Sequence, residues 1–152
     1  MFASETPARS VIFIETVIDL KWKKHTAIEA IPVPEEDWEE APLYFRNALL
    51  TSGSEWSQHP KLLSTTSRGL RNTLVKELPY FHVWFTPDGG IGQVVEDGRE
   101  WKLWFGREVV AGMLQVGPEL YRNQRRCSER EVRERVDAFK GKWEAWDWTK
   151  LL

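Results

Sequence analysis

The chain holds a single cysteine, Cys127, in 152 residues, which excludes a disulfide framework and any Cys-x-x-Cys zinc pair. No apolar run approaches the roughly 20 residues needed to span a bilayer, so no membrane role is expected. The opening Met1-Phe-Ala-Ser-Glu-Thr-Pro7 lacks the basic start and long apolar core of a secretory signal, and a protein that stays inside the cell is expected. Only three histidines occur, His25, His59 and His82, scattered and without His-x-His or His-Glu-x-x-His spacing. Neither a metal site nor a cofactor is therefore expected. No Gly-x-Ser-x-Gly elbow is present, and the glycines of Asp88-Gly-Gly-Ile-Gly92 fall between two expected strands instead of opening a helix, which argues against a phosphate-cradling loop. A formal net charge of −2 argues against a protein that coats nucleic acid without selectivity.

What is abundant is tryptophan, with nine copies. Rings so large are costly to leave in water, so many belong in a core or an interface. Charge is unevenly placed. Glu35, Glu36, Asp37, Glu39 and Glu40 form an acidic run, whereas Arg122, Arg125, Arg126, Arg130, Arg133 and Arg135 crowd a short span. The acidic run reads as a solvated helix start or as a contact for a basic protein. Arginine presents a planar fork that matches phosphate, so the cluster reads either as an RNA or phosphate contact or as ordinary surface ion pairing.

The pattern predicts an α+β fold: a small, mostly antiparallel sheet of two N-terminal strands plus a central hairpin, packed with helices at 42–56, 104–115 and 128–146. Val11 to Ile18 and Thr26 to Val33 are β-branched and apolar enough for buried strands, joined by the basic segment Lys21 to His25. Phe45, Ala48, Leu49 and Trp56 suit one helix face, with Pro42 in the first turn, where proline is tolerated, and the acidic run just upstream. Residues 51–77 are rich in breakers and predict a wandering connection with short helical turns at most.

Pro79 to Phe85 is apolar on both alternating faces, which predicts a strand covered on both sides. Pro87-Asp88-Gly89-Gly90 then reverses the chain into Ile91 to Glu96. His82 alternates with Tyr80 and Trp84 and reads as a hydrogen-bonded core histidine or, with Trp84, as a ligand contact. Trp104 to Gln115 has helical spacing, and Gly106 and Gly112 within it predict close approach of another backbone. Ser128-x-x-Glu131 has capping-box spacing, and Val132, Val136, Phe139, Trp143 and Trp146 follow at intervals of four and three, giving a long amphipathic helix.

Leu78-Pro-Tyr-Phe-His-Val-Trp-Phe85, Gly89-Gly-Ile-Gly-Gln-Val-Val-Glu-Asp97 and Phe105-Gly-Arg-Glu-Val-Val-Ala-Gly-Met-Leu114 together resemble the second C-terminal domain of the CwfJ family, the Cwf-nineteen-like spliceosome-associated proteins. Pro118-Glu-Leu-Tyr-Arg122 and Trp143-x-x-Trp-Asp-Trp-Thr-Lys150 are similar to further motifs of that family, as are Ile31-Pro-Val-Pro34, Ala41 to Ala48 and Glu55-Trp-Ser57, all in the family's order. Gln93 departs from the histidine usual there.

The resemblance implies that residues 1–34 are the terminal strands of a histidine-triad-like domain, incomplete here, and that 35–152 form the second domain. Active triad hydrolases carry His-x-His-x-His, whose middle histidine attacks phosphorus. The aligned stretch is His25-Thr26-Ala27-Ile28-Glu29, so the nucleophile position is Ala27, and no enzyme activity is expected. Unpaired strand edges invite association, so the N-terminal strands are expected to join the Leu78 to Glu96 hairpin or another chain. The resemblance further implies a nuclear factor of the post-catalytic intron-lariat stage, with spliceosomal proteins, the lariat debranching enzyme and intron lariat RNA as partners. Arg107, Arg122, Arg125, Arg126 and Arg130, with His82 and Trp84, are the candidate RNA- or partner-binding residues. The competing readings are a histidine-triad nucleotide hydrolase or transferase, and a protein-interaction scaffold without RNA contact.

Overall fold

The computed structural model describes residues 1–4, 7–20, 26–52, 59, 61–74, 77–122 and 125–151. Its strands are β1 (Arg9–Val17), β2 (Ile28–Pro34), β3 (Leu63–Ser64), β4 (Tyr80–Thr86) and β5 (Gly89–Val94). Its helices are α1 (Glu35–Thr51), α2 (Leu70–Thr73), α3 (Phe105–Met113) and α4 (Glu129–Trp143). The strands form one sheet in the order β2-β1-β4-β5-β3, and every neighbouring pair is antiparallel. The N-terminal strands do join the hairpin: β1 pairs with β4, Ile14 opposite Val83. Among the described residues, the connection between α1 and β4 contains the one-turn α2, in keeping with its breaker content, and the two-residue β3, an unexpected fifth strand that pairs with β5.

One sheet face carries the apolar core. Ile12, Ile14, Phe81 and Val83 pack against Ala41, Phe45 and Leu49 of α1 and Val110 and Met113 of α3. The Phe45 and Phe81 rings stack at 6.2 Å, and Phe105 meets Phe81 edge-on at 5.0 Å. Burying each such side chain contributes about 1.5–3 kcal/mol. Gly106 makes room for side chains and not, as expected, for another backbone: a Cβ there would stand 2.7 Å from Ile14 Cγ2 and 3.1 Å from Phe81 Cε2. Gly112 differs from expectation: a Cβ there meets nothing within 4 Å, so it lies on the outer side of α3 and serves no close approach. In the hairpin, a Cβ on Gly90 would collide with the Val83 carbonyl oxygen, so only glycine closes this turn onto β4.

Helix α1 starts seven residues earlier than the sequence pattern implies. Glu35, Glu36 and Asp37 occupy its first turn instead of preceding it, and Pro42 lies inside. The three acids favour the positive end of the helix dipole, while burial of Ala41 before the proline and of Phe45 and Leu49 after it holds the chain helical through it. The helix ends at Thr51; Trp56, expected on its apolar face, is outside the described residues.

Strand β2 is an edge, and its prolines shield it. Pro32 and Pro34 face Val11 and Arg9, and proline has no N–H to give. Their nitrogens therefore turn away from β1, and the outer edge loses two of the donors another strand would need. Helix α4 forms where expected, behind an intact capping box: Ser128 Oγ accepts from the Glu131 N–H and the Glu131 carboxylate accepts from the Ser128 N–H at 2.7 Å. None of its residues is buried. Val132, Val136 and Phe139 are 42–50% exposed, so this helix does not cover the sheet. Among the described residues no helix is long and apolar enough to cross a membrane.

Candidate binding surface

The arginines singled out in the sequence fall into different circumstances. Arg107, on the first turn of α3, donates from Nε and Nη2 to the two carboxylate oxygens of Glu29 at 2.6 and 3.0 Å. This hydrogen-bonded pair holds the guanidinium more firmly protonated than usual and ties β2 to α3. Glu29 is the third position of the degenerate triad, so that side chain serves a structural contact. Ala27 is exposed just before β2, and His25 lies outside the described residues. Arg122 lays its guanidinium over the Trp104 ring, 5.0 Å from the centroid, an arrangement that leaves the charge open to solvent and anions. Arg125 reaches Glu131 at 2.6 Å and Arg130 reaches Glu134 at 3.6 Å, both pairs on the surface. Arg126 is exposed and makes no ion pair with a described residue.

His82 and Trp84 belong to the other face of the sheet and part company there. His82 is fully buried, and its Nε2 is 2.8 Å from Thr65 Oγ1, which also accepts from the Gly90 N–H. Its Nδ1 has no hydrogen-bond partner among the described residues. Burial lowers its pKa from 6.5 to about 4, so the ring is neutral at physiological pH. Of the two readings of His82, its burial and its contact to Thr65 fit the hydrogen-bonded core histidine. Trp84 is half-exposed, with its ring 4.1 Å from the imidazole and the 40% exposed Phe13 directly opposite on β1. Phe13 was not singled out in the sequence; its alternation with the buried Ile12 and Ile14 is the signal that marks it as outward. Beside them Glu15 is buried, opposite His82, and accepts from the Tyr80 hydroxyl at 2.9 Å. Burial and that carboxylate raise the Tyr80 pKa.

Two clefts flank α3. The larger, about 780 Å³, is floored by Val95, Trp101, Phe105 and Val109. Gln93 lies in its wall, buried, accepting from the Ser52 hydroxyl at 3.1 Å. Glu96, Asp97, Glu100 and Glu108 rim it, and the cation among its described lining residues is Lys102, itself 3.1 Å from Glu108. Such a rim repels phosphate. The smaller cleft, about 360 Å³, lies between β2 and α3 and is lined by Ile31, Leu114, Val116 and Tyr121, with the Glu29–Arg107 pair in its wall. Among the described residues no three His, Cys, Asp or Glu side chains converge as a metal site.

Within the arginine cluster, Arg122, over Trp104, and the exposed Arg126 make no ion pair with a described residue. A family model described as "Protein similar to CwfJ C-terminus 2" matches residues 55–149, which contain both. Pre-mRNA-splicing factor cwf19 of Schizosaccharomyces pombe is 43% identical over 151 residues, covering 93% of this chain and 24% of that protein. CWF19-like protein 2 of Homo sapiens is 37% identical over 139 residues, covering 91% and 16%. The CWF19-like protein 2 homolog of Caenorhabditis elegans is 32% identical over 144 residues, covering 95% and 31%. The chain therefore spans at most about a third of the length of these relatives. With the hairpin, Gly106 and the Arg122 segment all within the matched region, the chain belongs to the CwfJ C-terminal family.

Proposed function

We propose that this chain is a non-catalytic binding module of nuclear pre-mRNA splicing, acting at the post-catalytic intron-lariat stage. Its partners in this reading are spliceosomal proteins, with the lariat debranching enzyme and intron lariat RNA among those contacted. Residues 1–34 are taken as the terminal strands of a histidine-triad-like domain and 35–152 as the second domain, sharing one sheet. The splicing role is supported by the names of relatives such as Pre-mRNA-splicing factor cwf19. The absence of catalysis is supported by Ala27, whose methyl group cannot attack phosphorus, and by Glu29, which is held by Arg107.

The observation that carries the RNA contact is the Arg122 guanidinium over the Trp104 ring, with the exposed Arg125, paired to Glu131, and the exposed Arg126 after it. A guanidinium on an aromatic ring keeps its donors in plane for phosphate while the ring is placed to stack a base. The test is crosslinking and salt titration of the chain with branched RNA. Reversing Arg122, Arg125 and Arg126 to Glu together should weaken binding by at least about tenfold and flatten the log–log salt slope by about 0.7 for each phosphate no longer neutralised. Arg107 is left intact in this variant because it supports the fold through Glu29. Unchanged affinity sinks the RNA contact, and nucleotide turnover abolished by His25→Ala sinks the non-catalytic reading.

A further inference from the structure

Helix α4 carries a strict alternation of four- and three-residue steps: Val132, Val136, Phe139, Trp143 and then Trp146 in the 3-10 turn that follows. That is the seam of a coiled coil rather than the broader stripe of a helix lying on a globular core. Yet the seam is open. Val132, Val136, Phe139 and Trp146 are 42–52% exposed, and no residue of α4 is buried. A helix of 15 residues whose apolar side stays in water is marginal, capping box or not.

Charge says what fits there. The positions flanking the seam are Arg133 and Lys140 on one side and Arg135 and Lys142 on the other, while Glu131, Glu134, Asp137 and Glu144 lie on the far side of the helix. Arg133 has a long, exposed contact to Glu129 at 3.8 Å, worth little. A second copy of α4, parallel or antiparallel, would set cation against cation at every flanking position. An RNA strand would answer the cations but leave Val132 and Val136 without a partner, since aliphatic side chains do not stack on bases. The geometry points to α4 as the docking helix for an acidic protein partner, an amphipathic segment whose apolar seam is flanked by Asp and Glu. This rests on the binding role proposed above only in being a protein contact, and it uses none of the Arg122 to Arg126 segment.

The test titrates the whole chain with a synthetic helical peptide of about three heptads, leucine in the seam and glutamate at the flanks, against the same peptide with lysine flanks and a single-stranded RNA of similar length. The glutamate peptide should bind at least about tenfold tighter than the lysine peptide, with an affinity that falls as salt rises. Arg133→Glu, Arg135→Glu, Lys140→Glu and Lys142→Glu together should invert that preference. Phe139→Glu should abolish binding while leaving the thermal midpoint and the branched-RNA crosslink unchanged. Equal binding of the two peptides, or no binding of either, overturns the proposal. So does RNA binding abolished by Phe139→Glu, or a self-association by sedimentation that this substitution removes. Loss of the crosslink in the Arg122, Arg125 and Arg126 variant alone bears on the RNA reading and leaves this one standing.

Discussion

Helices α1 and α4 are 17 and 15 residues long, both begin with acids in the first turn, and both repeat apolar side chains at helical spacing. Their surroundings differ completely. Helix α1 buries Ala41, Phe45 and Leu49 without exposure and tolerates an internal proline, while α4 buries nothing and depends on its cap. Apolar period marks which face a helix must cover. It does not say whether the cover lies in the same chain, and α4 is the case where it does not among the described residues.

The sharpest way to break this contrast is a matched pair of truncations. Phe45→Ala removes a ring stacked on Phe81 in the core and should cost about 3–5 kcal/mol, whereas Phe139→Ala should cost less than about 0.5 kcal/mol, both read by denaturant unfolding. An equal loss in both would mean that α4 packs on the body after all.

The next effect concerns the second sheet face. Thr65→Val deletes the hydroxyl that answers both His82 Nε2 and the Gly90 N–H, leaving buried polar atoms unpaired at a cost of about 1–3 kcal/mol. His82 adds a pH dependence. Its folded pKa is about 4, below the ordinary histidine value, so between pH 6.5 and 4 the unfolded chain binds the proton that the folded chain refuses. Stability is fully present above about pH 6.5 and declines as pH falls to about 4, by at most about 3 kcal/mol. Thermal midpoints across that range should show the decline, and His82→Leu should remove it. A flat profile in the parent chain would mean that the imidazole is hydrated.

The smallest effect is Ser128→Ala, which deletes half of the capping box and costs α4 about 1 kcal/mol. Helical ellipticity should fall while the midpoint of the sheet stays put. A cooperative loss of both would erase the distinction between body and arm.

Much of this architecture was legible in the residues because local chemistry decided it. The hairpin follows from Pro87 to Gly90 and the cap from Ser128 and Glu131. Where the outcome depended on contacts far along the chain, pattern alone fell short. Pro42 marks a first turn on propensity, but burial of Ala41, Phe45 and Leu49 overrides it. Gly112 resembles Gly106 in sequence, yet no described atom crowds it. His82 and Trp84 share one strand face in the sequence, but the histidine is buried beneath the Trp84 ring and bonded to Thr65, seventeen residues back. The answer to Arg107 is Glu29, distant in sequence, and no periodicity announces such a pair.

Strand β1 sits second in the sheet, and its inner neighbour β4 arrives about seventy residues later in the chain. During synthesis at about 5–20 residues per second, the β1–β2 hairpin therefore waits several seconds with the β4-facing edge of β1 unpaired, while α1, made in the meantime, can already pack on Ile12 and Ile14. Closure of so long a loop is slow to begin with. The prolines at positions 32 and 34 guard the outer side of that waiting hairpin, and the β1 side stays adhesive until β4 leaves the ribosome. A nascent chain stalled before Tyr80 thus presents that unpaired edge.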